Sequence, residues 1–211
     1  MVAEPMTMAT DYALAVVAVC FCLLIFKRTP PQNSQRCWAV AFAELAVAAA
    51  LGGTHHGFVI EALWTPTVLT VGIASFAMLA GSAIATTSGR LRQGLIGLAL
   101  AKLLVYSVWM LGHDEFIYVV ADTGAALLAI AVLHLFFFKN QESKWMLAGV
   151  AVSLAAAAAQ ASGFDLHPSF NHNDLYHVVQ IAAMALFYSG ARRMQDRATG
   201  EESSRRSSAA S

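Results

Sequence analysis

The chain has 211 residues, of which 58% are hydrophobic and only 12% are charged. Soluble domains carry about 25% charged residues, so this composition excludes an ordinary soluble domain and indicates a membrane protein. The formal net charge is +0, so no basic surplus indicates a nucleic-acid partner. We therefore expect membrane lipid as the environment and as a possible substrate.

Seven apolar segments follow one another along the chain, each near the length of about 20 residues that a helix needs to cross a bilayer. Lipid offers the backbone no hydrogen-bond partner, so each segment is predicted to be helical. We predict an all-α, seven-transmembrane-helix bundle over residues 1–193, followed by a disordered cytoplasmic tail over residues 194–211. The predicted spans are 12–27, 37–56, 66–87, 91–112, 116–138, 144–162 and 173–191.

The basic residues at the ends of the spans and between them set the predicted orientation. If seven helices alternate in direction, all of these residues fall at one end of the bundle, and the opposite end carries only acidic residues. The N-terminus is therefore predicted to be outside and the C-terminus cytoplasmic, in a plasma membrane or a bacterial inner membrane. The basic residues are Lys27, Arg28, Arg36, Arg90, Arg92, Lys139, Lys144, Arg192, Arg193, Arg197, Arg205 and Arg206.

Histidines gather at the predicted outer end. His55 and His56 end the second span, and His172 and His177 flank the start of the seventh, within the stretch FNHNDLYHVVQ. Imidazole is a good zinc ligand, and a catalytic zinc keeps three protein ligands and one water. If spans two and seven are neighbours, His55 or His56 together with His172 and His177 forms a predicted zinc site. The alternative for His55 and His56 is a pair of histidines in headgroup water.

Other polar residues surround the start of the seventh span. Asp174 and His177 are three residues apart on one helix face, and Gln180 continues that face. An asparagine at position 171 or 173 is expected to cap the helix by accepting backbone N–H groups. His177 lies one turn deeper, so capping does not explain it.

Three ionisable residues, Glu44, Lys102 and Asp122, lie inside predicted spans. Each is costly in lipid, so each is predicted to face the bundle interior or a wet cavity. Asp122 is the predicted catalytic residue, either as a base or as a group that orients a ligating histidine. Glu44 and Lys102 are predicted to form a structural ion pair with each other.

Seven spans, a histidine at the outer end of the second and a histidine-containing start of the seventh resemble the superfamily of alkaline ceramidases and adiponectin receptors. That resemblance implies a zinc held by three histidines, one on helix two and two from an HxxxH motif on helix seven. In an HxxxH motif that ends at His177, this sequence has Asn173 at the first position. The resemblance also implies that the zinc activates water to hydrolyse a lipid amide.

Three functions stay open at this point. The first is a zinc-dependent integral membrane hydrolase that acts on a lipid amide or ester through a metal-activated water. The second is a non-enzymatic seven-helix metal-binding receptor, sensor or transport component. The third is haem binding with electron transfer, for which two histidines from different helices would ligate one iron.

Overall fold

The computed structural model describes residues 2–27, 30–137 and 141–198. Over these residues the chain is all-α, with seven helices and no strand. A single 3-10 turn, Glu61–Leu63, precedes the third helix. The helices are α1 (Pro5–Phe26), α2 (Asn33–Phe58), α3 (Trp64–Thr86), α4 (Gly89–Met110), α5 (Phe116–Phe136), α6 (Gln141–Ala161) and α7 (His172–Ala191).

The helical prediction is confirmed for all seven segments, and the largest difference in bounds is at the first. α1 begins at Pro5 instead of residue 12. Proline suits the first turn of a helix, because the N–H that it lacks has no intrahelical partner there. The additional turns place Asp11 inside the helix and not in a flanking segment.

Helices that follow one another in the chain run in opposite directions. The hydroxyl groups of Tyr12 near the start of α1 and Thr54 near the end of α2 lie 2.9 Å apart. Gln160 at the end of α6 donates a 3.0 Å hydrogen bond to Asn173 at the start of α7. We call this end of the bundle, where α1, α3, α5 and α7 begin, the N-terminal end.

Six of the helices in the described part of the chain, α1 to α6, are long and apolar enough to cross a membrane. The first turns of α7 carry His172, Asp174, His177 and Gln180, which make this helix more polar than the others. Large apolar side chains cover the outer surface, as on α4, where Val105 is 70% exposed. These features are consistent with a multi-pass membrane protein.

Glycines mark the places where helices approach most closely. A Cβ atom on Gly81 of α3 would lie 2.9 Å from the backbone oxygen of Ser34 and 2.8 Å from the Trp38 ring. On α4, by contrast, a Cβ atom on Gly94 or Gly97 would meet nothing within 4 Å. α4 is therefore a peripheral helix, whereas α3 packs tightly against α2.

Residues 194–198 correct the predicted boundary of the tail. Met194 is fully buried. The carboxylate of Asp196 accepts the backbone N–H groups of Asn33 and Ser34 at 3.0 and 2.9 Å, at the start of α2. Arg197 donates to the carbonyl oxygens at the ends of α3 and α5. We call residues 194–198 the C-terminal strap; the rest of the predicted tail, 199–211, lies outside the described residues.

Candidate functional site

A cavity of about 400 Å³ lies inside the bundle, within the range of about 300–1,000 Å³ that is usual for small-molecule sites. We call it the bundle cavity. Most of its polar lining comes from residues near the N-terminal end, namely Asp11, His56, Gln160, Asn173, Tyr176, His177 and Gln180, and Thr67, Thr123 and Ser153 add hydroxyl groups. Its deeper lining is apolar and includes Trp38, Phe42, Leu45, Met78, Leu127, Met184 and Phe187.

The bundle cavity is elongated along the helix axes. On α7 its lining runs from Asn173 to Phe187, which is about 21 Å at a rise of 1.5 Å per residue. The rings of Phe187 and Trp38 lie 5.2 Å apart, centroid to centroid, at the deep end. The cavity therefore has one polar end and one long apolar part.

Asp11 and His177 form the centre of the polar end. His177 Nε2 lies 3.2 Å from Asp11 Oδ1, and the two side chains are 11% and 8% exposed. The other ring nitrogen, Nδ1, lies 3.0 Å from Thr10 Oγ1. The Thr10 hydroxyl in turn donates a 3.0 Å hydrogen bond to the Thr7 carbonyl oxygen. The imidazole is thus held on both sides by residues of α1.

The hydrogen bonds of His177 determine how many protons this pair carries. Because the Thr10 hydroxyl donates its hydrogen bond to the Thr7 carbonyl oxygen, Thr10 Oγ1 can only accept a hydrogen bond from His177, and Nδ1 must carry the proton. A bare Nε2 lone pair would then face a carboxylate oxygen of Asp11, which is unfavourable unless one more proton lies between them. With one proton between them, the pair is either carboxylic acid and neutral imidazole or carboxylate and imidazolium, and it is neutral in both forms.

Gly53 of α2 allows Asp11 to reach this position. A Cβ atom on Gly53 would lie 2.8 Å from the Asp11 Cβ atom and 3.2 Å from the Met8 carbonyl oxygen. A Cβ atom on Gly52 would be in ordinary contact, 3.8 Å from Asp11 Oδ2. Asp11 consequently lies against α2 on one side and His177 of α7 on the other. The zinc hypothesis required spans two and seven to be neighbours. They are in contact at the deep end, through Trp38 and Phe187, whereas this part of α1 lies between them at the polar end.

The start of α7 has the predicted cap. The Asn171 side chain accepts the backbone N–H groups of Asn173 and Asp174, at 2.8 and 3.1 Å. The Asp174 carboxylate accepts the backbone N–H of Asn171 at 2.8 Å, which completes a reciprocal capping box. Asp174 is 1% exposed and interacts electrostatically with Asp11, His56 and His177. Its negative charge also suits the positive end of the helix dipole.

The structure brings two of the four predicted metal ligands to the bundle cavity. His56 and His177 both line it, and His56 Nδ1 lies 3.4 Å from Glu4 Oε2. His55 Nδ1 instead lies 3.0 Å from the Ile60 carbonyl oxygen. His172 pairs with Asp165 at 2.9 Å and is not part of the cavity lining.

The contact between His172 and Asp165 lies in the exposed connection before α7. The His172 ring and the His172 backbone N–H both form hydrogen bonds with Asp165 Oδ1 at 2.9 Å. These hydrogen bonds, the side-chain bond first, lower the pKa of Asp165 below its usual value. His172 thus has a local partner that accounts for its position.

The donor set does not fit zinc as it is arranged. Across residues 2–27, 30–137 and 141–198, no group of three His, Cys, Asp or Glu side chains is placed to hold a metal ion. Both ring nitrogens of His177 already face protein partners. The zinc site therefore stays a prediction, and no reaction step is derived through it.

The charged residues inside α4 and α5 pair with each other. Lys102 Nζ lies 2.6 Å from Asp122 Oδ1 and 2.9 Å from Ser75 Oγ. The predicted pair between Glu44 and Lys102 is therefore wrong, and Glu44 is a half-buried residue of α2. Lys102 and Asp122 line a separate pocket of about 440 Å³ between α4 and α5. The lining of the bundle cavity includes Thr123 but not Asp122, and a catalytic role for Asp122 stays a prediction.

Sequence reasoning missed Asp11, Thr10 and Glu4, because it placed all three before the first span. The proline at position 5 was the available signal that the helix starts earlier. With α1 extended to Pro5, Asp11 becomes an acidic residue inside an apolar helix, which is costly without a partner. That cost would have made Asp11 a candidate site residue.

An all-helical chain with six helices able to cross a membrane, and with a polar-ended cavity inside the bundle, has the features of a multi-pass membrane protein. The chain belongs to DUF6962, a family of unknown function, whose pattern matches residues 6–196. No curated protein and no solved structure matches the chain. The family match gives no link to the alkaline ceramidases and adiponectin receptors, so that resemblance stays a prediction.

Proposed function

We propose that this protein is a multi-pass membrane protein that binds one single-chain amphiphile inside its helical bundle. The polar group of the ligand lies at the Asp11–His177 pair, and its chain extends toward Trp38 and Phe187. One observation carries the proposal: a single cavity of about 400 Å³ changes along its length from acid, imidazole and amide side chains to apolar ones.

The apolar part of the cavity favours a ligand that already resides in the bilayer. Lipid tails are as apolar as the deep lining, so moving a chain from the bilayer into the cavity gains little hydrophobic free energy. The polar end must therefore provide most of the selectivity. A wholly polar solute would leave the deep lining without contacts.

The polar end favours a hydrogen-bond donor that carries no negative charge. Asp11 Oδ2 is buried and has no hydrogen-bond partner among the described residues, so it is available as an acceptor. The Asp11–His177 pair is neutral, and the Glu4 and Asp174 carboxylates lie near it. No Lys or Arg is among the described residues that line the cavity. A hydroxyl or amine head group fits this environment, whereas a carboxylate or phosphate would be repelled.

The test is to fill the cavity and measure the amphiphile that copurifies. Gly124 lines the cavity, and a Cβ atom there would meet nothing within 4 Å, so Gly124→Phe fills space without a backbone clash. Gly97→Phe is the matched control, because Gly97 is equally unobstructed but does not line the cavity. Solvent extraction and mass spectrometry of the purified protein measure the ligand.

We expect about one amphiphile molecule per chain in wild type and in Gly97→Phe. Gly124→Phe should contain much less than one molecule per chain, while its thermal unfolding temperature stays that of wild type. Equal ligand content in Gly124→Phe and wild type would contradict the proposal. So would the absence of any stoichiometric amphiphile from wild type.

We further infer that the N-terminal end of the bundle faces outward. The helices alternate in direction, and the described basic residues at helix ends lie at the opposite end, as the charge rule for cytoplasmic ends requires. Reporter fusions after Gly112 and after residue 198 test this orientation. We expect the reporter after Gly112 to lie outside the membrane and the reporter after residue 198 to lie on the cytoplasmic side. The reverse pattern would contradict the inference.

A zinc-dependent lipid hydrolase is the second candidate, because His56 of α2 and His177 of α7 line one cavity, as the resemblance implies. Elemental analysis of the purified protein beside His177→Ala tests it. Stoichiometric zinc in wild type that is lost in the variant would support this candidate, and no zinc in either protein would remove it.

A further inference from the structure

Two residues with hydroxyl groups, Thr123 on α5 and Ser153 on α6, line the bundle cavity. Thr123 Oγ1 and Ser153 Oγ are buried atoms that have no hydrogen-bond partner within the part of the chain that the structure describes. Both residues line the cavity, and Ser153 is only 3% exposed. A buried hydroxyl without a partner destabilises a protein unless something outside the fold satisfies it.

Several other hydroxyl side chains of this protein form hydrogen bonds with the nearby backbone. Five threonines donate to the carbonyl oxygen four residues earlier in their own helix, a common bond for Ser and Thr. Thr123 and Ser153 do not make the equivalent bonds, although Val119 and Gly149 stand at the required positions. A ligand that bonds to these hydroxyl groups would therefore have no internal hydrogen bond to replace. The five are Thr54, Thr67, Thr70, Thr86 and Thr87, with distances of 2.7, 2.7, 2.9, 2.7 and 2.7 Å.

These hydroxyl groups lie at nearly the same depth as the Asp11–His177 pair. At 1.5 Å per residue, Thr123 is about 10 Å from the start of α5, Ser153 is about 12 Å from the end of α6 and Asp11 is about 9 Å from the start of α1. All three helix ends are at the N-terminal end of the bundle. Polar groups thus come from the α1–α7 wall and from the α5–α6 wall at one level of an otherwise apolar cavity.

We propose that Thr123 and Ser153 form a second polar subsite that binds an uncharged oxygen group of the ligand, such as a hydroxyl, carbonyl or ether. This proposal rests on the proposed function. Each hydroxyl can donate or accept a hydrogen bond and carries no charge, so the subsite suits a neutral oxygen better than an ion. The ligand is then a single-chain lipid with two polar functions: a donor for Asp11 Oδ2 and an oxygen for the α5–α6 wall.

The test compares two uncharged probes that share a C18 chain. 1-Monooleoylglycerol carries hydroxyl groups and an ester, whereas oleyl alcohol carries one hydroxyl. Their binding to the full chain in nanodiscs is measured by native mass spectrometry. The variant is Thr123→Val with Ser153→Ala, which removes both hydroxyl groups with little change in shape. Ser82→Ala is the control, because Ser82 Oγ is also buried without a described partner but Ser82 does not line the cavity.

We expect wild type and Ser82→Ala to prefer the monoacylglycerol about tenfold or more, and the double variant to lose this preference while its affinity for oleyl alcohol is unchanged. The ligand-free double variant should unfold at the same temperature as wild type or higher, because it loses unsatisfied buried hydroxyl groups.

The outcomes separate the subsite from the function on which it rests. If wild type binds both probes equally, or the double variant keeps the preference, the subsite is wrong and amphiphile binding stands. If wild type binds neither probe, both proposals fail. A lower unfolding temperature of the ligand-free double variant would show that the hydroxyl groups are structural, and would also overturn the subsite.

Discussion

His177 Nε2 lies 3.2 Å from Asp11 Oδ1, so the last helix of the bundle is joined to the first by a nearly buried acid–imidazole contact. Because Thr10 holds the other ring nitrogen, the imidazole cannot turn toward a new partner without breaking a bond to α1. This contact therefore serves both the polar end of the cavity and the closure of the bundle.

Replacing Asp11 tests this double role. Asp11→Ala removes the partner of Nε2 and should lower the free energy of unfolding by about 1–3 kcal/mol, the usual cost of a buried group without its hydrogen bond. Asp11→Asn should lower the free energy of unfolding by less, because the amide of the new side chain can donate a hydrogen bond to His177 Nε2. Thermal unfolding in one detergent compares the two variants, and equal stability of Asp11→Ala and Asp11→Asn would contradict the assigned hydrogen bond.

The Lys102–Asp122 pair predicts a double-mutant result. Lys102→Met leaves the Asp122 carboxylate, which is 4% exposed, without its cation and should cost about 3–5 kcal/mol. Combining it with Asp122→Leu should recover most of that loss, since an apolar pair of similar volume needs no desolvation of charge. Chemical unfolding curves of both single variants and the double variant give the coupling free energy. Additive losses would show that the pair is not coupled.

Glycines at and away from helix contacts should respond differently to one added methyl group. Gly81→Ala places a Cβ atom 2.9 Å from the Ser34 backbone oxygen, so α3 must shift and the free energy of unfolding should fall by about 1–3 kcal/mol. Gly97→Ala on α4 meets no atom and should be neutral or stabilising by up to about 1 kcal/mol. Unfolding temperatures measure both, and a stable Gly81→Ala variant would be inconsistent with the close α2–α3 approach.

The C-terminal strap predicts a sharp difference between two truncations. Ending the chain after residue 198 keeps every contact described for the strap and should leave the unfolding temperature unchanged. Ending it after residue 193 removes the Asp196 cap of α2 and the Arg197 bonds, and should destabilise the bundle. Asp196→Ala alone should cost about 1 kcal/mol, as for other lost caps. Equal stability of the two truncated chains would refute a structural role for the strap.

The lowered pKa of Asp165 predicts a small dependence on pH. A carboxyl whose pKa is lower in the folded state contributes stability above its unfolded pKa and loses it as the pH falls through the folded value. His172→Ala removes the main hydrogen bond, so the pKa of Asp165 should rise toward its usual range. NMR of the isotope-labelled side-chain carboxyl groups follows the titration of Asp165. An unchanged pKa in His172→Ala would argue against the contact between His172 and Asp165. The Asp165 side chain is exposed and that of His172 is partly exposed, so the effect on stability is small.

The helices could be predicted from the sequence because each one is recognised from the apolar residues of its own segment, whatever the other segments contain. The same holds for the Asn171 cap, which depends on neighbours in the chain. Pairings between helices could not be predicted, because partner choice depends on which helices are adjacent. Lys102 illustrates this: it was predicted to pair with Glu44, but it pairs with Asp122 because α4 lies beside α5.

The candidate site was predicted only in part for the same reason. His55 or His56 was expected to converge with His172 and His177, and of these four only His56 and His177 line the cavity. The residue that contacts His177 is Asp11, from a helix whose start was predicted too late. Thr123 and Ser153 gave no signal in the sequence, because hydroxyl groups in helices usually bond to their own backbone. Only the packed bundle reveals that these two do not.

The cap that Asp196 gives to α2 also has a consequence for biosynthesis. Asn33 and Ser34 are translated before α3 to α7, whereas their hydrogen-bond acceptor follows α7. The start of α2 therefore cannot gain this cap until the ribosome has completed α7. We expect the start of α2 to become fully ordered only after the last of these helices has been made.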